Sequence, residues 1–186
     1  MNRLVALLTM AILPSIAEPA LMPVEWGPPI EGLQMSISPG EVSDQKGPTF
    51  EVAIRNLSSH DLHVILGTSV GYFQSPDRLL LSAVDTQGKV LEFDFVDFRY
   101  GGVAGGMSDF VVPLRSHSTY SLTLSLNNFW LRDMTGSATQ LLRGKYRLTM
   151  RLRAWTRRPD SPALPNRSTY PLLFDDLQSN TLEWER

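Results

Sequence analysis

Lys145-Tyr146-Arg147-Leu148-Thr149-Met150-Arg151-Leu152-Arg153 alternates without a slip. Tyr146, Leu148, Met150 and Leu152 fall on one side. Lys145, Arg147, Thr149, Arg151 and Arg153 fall on the other. A period of two describes a strand with one dry and one wet face, as in antiparallel sheets. Arg143-Gly144, just before it, supplies the turn that launches the strand.

The same period recurs on both sides of this stretch. Leu33, Met35 and Ile37 alternate with polar residues, and Phe50, Val52 and Ile54 alternate with Glu51, Ala53 and Arg55. So do Leu91, Phe93 and Phe95, then Tyr120, Leu122, Leu124 and Leu126, and finally Leu182 and Trp184. Weaker strands are expected at 61–66, 79–85 and 110–114. Turn chemistry separates them: Ser38-Pro39-Gly40, Lys46-Gly47-Pro48, Asn56-Leu57-Ser58-Ser59, and a hairpin loop at Asp85-Thr86-Gln87-Gly88-Lys89. A short helical turn is expected within 127–134, and no long segment carries a helical stripe. Short strands at this spacing predict an antiparallel β-sandwich of seven to nine strands. Unequal strand lengths and irregular turns favour it over an even hairpin barrel.

The first 17 residues read differently. Arg3, the apolar stretch from Leu4 to Ile16, and small residues at Ser15 and Ala17 form the three regions of a secretory signal. The reading is a signal peptide at 1–17, a Pro-containing linker at 18–25 and one β domain at 26–186. Cleavage after Ala17 leaves no stable membrane insertion and places the protein outside the cell or in the periplasm. A retained N-terminal anchor is the alternative.

Charge and composition narrow the partners. Lys and Arg total 17 against 19 Asp and Glu, a net charge of −2. Nucleic acid requires a basic footprint that this balance does not supply. There is no Cys, which excludes disulfides, thiol catalysis and Cys-based zinc sites.

Side chains that could carry chemistry do not assemble into a set. His60 and His63 fall on opposite faces of a strand with no third ligand near, so no metal is expected. Asp94 is expected to be solvated, and Asp175-Asp176 to form a turn. The Gly-x-Ser-x-Gly spacing at Gly67-Thr68-Ser69-Val70-Gly71 is followed by no helical stripe, and the glycines at 101–106 precede a strand rather than a helix. The expectation is a protein with no catalytic, cofactor-binding or metal-binding residues. Lys145, Arg147, Arg151 and Arg153 make a basic stripe. It either meets an acidic partner or pairs with Glu183 and Glu185 on a neighbouring final strand. Asn56-Leu57-Ser58 and Asn166-Arg167-Ser168 match the N-glycosylation pattern.

Two loops break the rhythm. Residues 98–108 are glycine-rich around Tyr100. Residues 155–178 carry Pro159, Pro162, Pro165 and Pro171. Exposed loop aromatics serve as contact anchors, which makes Tyr100, Trp155, Tyr170 and Phe174 the candidate partner-binding residues. The last three would equally serve to pin their loop.

Trp26-Gly27, Gly32-Leu33-Gln34 and Gly47-Pro48-Thr49-Phe50 lead to Arg55-Asn56-Leu57-Ser58. This opening resembles that of immunoglobulin-like sandwich domains in exported bacterial proteins. Gly144-Lys145-Tyr146-Arg147-Leu148 resembles their penultimate strand, and Ser179-Asn180-Thr181-Leu182-Glu183 their closing strand. The layout is also similar to the bacterial intracellular proteinase-inhibitor domain, which lacks an export signal. The resemblance implies an immunoglobulin-like fold and an exported compartment. The expected function is binding of a protein or glycan partner. The alternative is a peptidase inhibitor presenting loop 155–178.

Overall fold

Alternating residues become paired strands throughout the computed structural model, which describes residues 24–43, 47–97, 106–154 and 175–185. Strands β1 (Leu33–Ser43), β2 (Gly47–Asn56), β3 (Leu62–Val70), β4 (Phe73–Ser75), β5 (Leu79–Asp85) and β6 (Val90–Phe95) come first. β7 (Met107–Leu114), β8 (Thr119–Ser125), β9 (Phe129–Leu131), β10 (Lys145–Leu152) and β11 (Leu177–Glu185) follow. One 3-10 turn spans Leu126–Asn128, and a one-turn helix, α1, spans Ala138–Leu141. The described residues therefore hold eleven strands, more than the seven to nine expected. The extra ones include β4 and β9, three residues each and too short to show a period. The helical turn expected at 127–134 is the 3-10 turn alone; strand β9 occupies 129–131.

Every pairing is antiparallel. The sheets run β1-β2-β8, β11-β10-β5-β6-β9 and β4-β3-β7. The first and third share one folded ribbon. β2 pairs with β8 and β3 pairs with β7 in nearly continuous register, from Thr49↔Ser125 to Arg55↔Thr119 and on from Leu62↔Leu114. Both chains of the ribbon bend together at 57–61 and 115–118.

Asn56 holds that corner. It is 1% exposed. Its Nδ2 donates to the carbonyls of His60 at 2.8 Å, Leu114 at 3.2 Å and Arg115 at 3.1 Å. Its Oδ1 accepts from Ser58 N at 2.8 Å and Ser58 Oγ at 2.7 Å. Ser116 completes the tie, its N–H going to Asp61 Oδ1 and its hydroxyl to Ser58 O. A buried amide with all of its groups engaged cannot also accept a glycan, so the Asn56 glycosylation reading is corrected. Asn166 lies outside the described residues.

The first and second sheets are joined by a side chain. Against β10, β11 places two residues, Ser179 and Asn180, opposite Met150 alone, a β-bulge. Ser179 Oγ takes the Met150 N–H at 2.9 Å. Asn180 turns to β1, where Oδ1 accepts from Ile37 N at 2.7 Å and Nδ2 donates to Ile37 O at 3.0 Å. The amide thus stands in for a missing strand neighbour. Gly27 crosses β11 here: a Cβ at this position would sit 2.0 Å from Gln178 O, so no other residue fits.

One core gathers side chains from all three sheets. Phe50, Val52, Ile54, Phe93, Leu124, Leu148, Met150 and Leu152 are buried, and Leu91, Leu122 and Trp184 pack half-buried against them. All eleven were expected on dry faces. Phe50 meets Trp184 edge-on, with ring centroids 5.5 Å apart, and Phe95 meets Phe129 in the same way. β10 pairs antiparallel with β11, from Lys145↔Glu185 to Leu152↔Leu177, so the final strand is the neighbour that the pairing reading of the basic stripe requires.

Candidate functional site

The third sheet runs past the core and ends in an apolar tip. Val70 of β3 lies opposite Phe73 of β4 and opposite Met107 of β7. Directly opposed residues share a sheet face, so Phe73, Val70 and Met107 form one row. Only Gly71 and Tyr72 connect β3 to β4. Gly71 takes φ +59° and Tyr72 does not share the positive φ, the pattern of a type II′ hairpin. That turn holds Tyr72 out, fully exposed. Met107 is 76% exposed and Phe73 39%. Residues 69–75 and 106–108 carry no charge, and Asp109 is the nearest ionisable group on β7. Single exposed apolar residues are ordinary, whereas an aromatic and methionine group gathered on one hairpin tip is a candidate contact surface.

The basic stripe is a compensated ladder across the second sheet. Lys145 pairs with Glu185 at 3.4 Å, and Arg147 lies opposite Glu183. Arg151 reaches Glu92 at 3.1 Å and Asp176 at 3.5 Å. Arg153 and Arg132 both hold Asp94, Arg132 at 3.2 Å. The pairing reading is therefore correct for Lys145. Arg151 and Arg153 look instead towards β6 and Asp176. Asp94 is not simply solvated, since two guanidinium groups engage it.

The remaining polar candidates are structural. His60 is exposed in the corner, and its carbonyl serves Asn56. Asp175 sits at a bend, and Asp176 beside it accepts Ala154 N at 2.8 Å, which ties together the two ends of connection 155–174. Thr135, through its hydroxyl and backbone N–H, holds the exposed Asp133 carboxyl below the ordinary carboxylate range. Among the described residues, no group of three His, Asp or Glu side chains could hold a metal ion.

Tyr100, Trp155, Tyr170 and Phe174 lie outside the described residues. The glycine-rich stretch was expected to run to 108, but β7 already begins at Met107. Sequence reasoning missed Tyr72, Phe73 and Met107. The available signal was Val70-Gly71-Tyr72-Phe73, a Gly-first pair between apolar residues that marks a two-residue hairpin.

No family model, no curated protein and no solved structure matches this chain.

Proposed function

We propose that this chain is an exported immunoglobulin-like domain that acts without catalysis, by binding a protein partner at the Tyr72–Phe73–Met107 tip. The fold reading has two supports. Sheets β1-β2-β8 and β11-β10-β5-β6 follow the A-B-E and G-F-C-C′ orders of that sandwich, with β4-β3-β7 and β9 as additions. Tyr146, near the start of β10, sends its hydroxyl back to Leu141 O at 3.5 Å, as a tyrosine corner does. Export rests on the charge and apolar pattern of residues 1–17. Among the described residues, no helix is long and apolar enough to cross a membrane.

The observation that carries the binding reading is the full exposure of Tyr72 beside an uncharged Phe73–Val70–Met107 row. A protein partner fits this small apolar tip better than a glycan, which needs a broad coplanar ring platform. A photo-crosslinker placed at Tyr72 should capture one discrete protein in the cell envelope, and the capture should disappear in Phe73→Ser/Met107→Ser. The same crosslinker at Gln87, in the β5–β6 loop, is the control. An identical set of adducts from both positions rules the tip out.

A second reading has one favourable observation. Asp176 ties the two ends of the 155–174 connection together by accepting Ala154 N at 2.8 Å, and Arg78 holds the first end through Ala154 O at 3.3 Å. A clamped base suits a peptidase inhibitor presenting loop 155–178. Stoichiometric inhibition across a panel of secreted proteases, lost on shortening 157–170, would establish that reading in place of the first.

A further inference from the structure

We infer that β8 is a self-pairing edge through which two copies of this chain join into one continuous sheet. Among the described residues β8 pairs with β2 alone, so its other side presents the backbone of an edge strand. Natural edges are blunted by charge, proline, bulges or shortness, because an open ladder recruits further strands.

The other edges here carry such devices. β1 is bulged between Pro39 and Val42 and stitched to β11 by Asn180. β11 carries its own bulge together with Glu183 and Glu185. β7 has Asp109 and Pro113. β4 and β9 are three residues long. β8 has none of these. Its sequence, Thr-Tyr-Ser-Leu-Thr-Leu-Ser, is uncharged, strand-favouring and in unbroken register with β2.

The strand also favours a second copy as occupant. A two-fold axis through Leu122 sets Leu122 against itself, Tyr120 against Leu124, and Ser121 against Thr123. Apolar residues then meet apolar residues on the core side, hydroxyls meet hydroxyls outside, and no like charges oppose. Tyr120 and Leu122 face the core yet stay half-buried, whereas Val52 and Ile54 opposite them on β2 are 0% and 1% exposed. A strand added at this edge would cover them. The assembled sheet would run β1-β2-β8 and then the same three strands in reverse.

The test is sedimentation of the full chain from micromolar to millimolar concentration, with amide exchange read on β8. Wild type should dimerise with concentration and gain protection on β8 but not on β7. Ser121→Lys/Thr123→Lys clusters four like charges at the axis and should weaken the dimer about tenfold or more. Ser121→Glu/Thr123→Lys places opposite charges across the axis and should retain it. Cooperative melting of both variants shows that each is folded. A monomer at every concentration overturns the inference. So do equal effects of the two variants, or β8 protection that appears only when a different protein is added.

Discussion

Replacing Asn180 with Ala tests whether one side chain joins the first and second sheets. The amide takes the Ile37 N–H at 2.7 Å and donates to Ile37 O at 3.0 Å. Its removal leaves one backbone donor and one acceptor unpaired at a partly buried position. Each orphaned group costs about 1–1.5 kcal/mol where water can partly reach it, so the pair costs about 2–3 kcal/mol. For a domain of this size, that lowers Tm by about 5–10 °C. Asn180→Asp keeps the acceptor and loses the donor, and should cost at least half as much. Gln178→Ala, at an exposed site on the same strand, should stay within about 0.5 kcal/mol. Urea unfolding followed by tryptophan fluorescence measures all three variants. If Asn180→Ala loses no more than Gln178→Ala, the amide is not the link between the sheets.

Leu148→Ala and Leu124→Ala should each cost about 2–5 kcal/mol, since both side chains are buried in the common core; an unchanged unfolding midpoint would remove that residue from it. A double-mutant cycle on Arg153 and Asp94 should give a coupling below about 1 kcal/mol that shrinks with salt, because both groups are partly exposed and Arg132 also holds Asp94. Thr135→Ala should raise the Asp133 pKa part of the way towards its ordinary value in an NMR titration, because the Thr135 hydroxyl is the largest of the hydrogen bonds that lower it and the backbone N–H bond remains. A lowered folded value favours the ionised form, so this contribution is present above the ordinary carboxylate range and lost as pH falls through the folded value. Edman sequencing of exported protein should begin at Glu18, and a retained Met1 would contradict the signal reading.

The strands were legible because each alternation is a local property. β5 runs over the whole of the expected 79–85 stretch, and the dry faces of β2 and β10 lie in the core. What period cannot show is which strand lies beside which. Asp94 illustrates the gap: its face was readable, but its partners were not. Arg153 follows β10, and β5 separates β10 from β6, about two strand spacings or roughly 9.6 Å across the sheet. The Arg153 and Asp94 side chains, with the hydrogen bond between them, span that distance. The loss of solvation at Asp94 therefore depends on sheet order, which no local pattern encodes.

The tip was hidden for a different reason. Alternation detects strands through the contrast between a core face and a wet face, and β3 and β7 lose that contrast where they leave the core. From Thr68 to Gln74 the residues pass from half-buried to exposed, so apolar and polar residues there are no longer sorted by side. Val70, Phe73 and Met107 become a row only through cross-strand register, and Met107 lies 37 positions beyond Val70 in the chain. Gly71 is the one local mark, because its positive φ lets two residues close the hairpin and leaves Tyr72 with nothing to pack against. A folding pattern written in burial cannot report a surface whose defining property is that it is not buried. Gly71 therefore offers a sharper test of the tip than its aromatics. Gly71→Val should disturb the turn and cost partner capture at Tyr72 while leaving the chemical identity of every apolar side chain of the row unchanged.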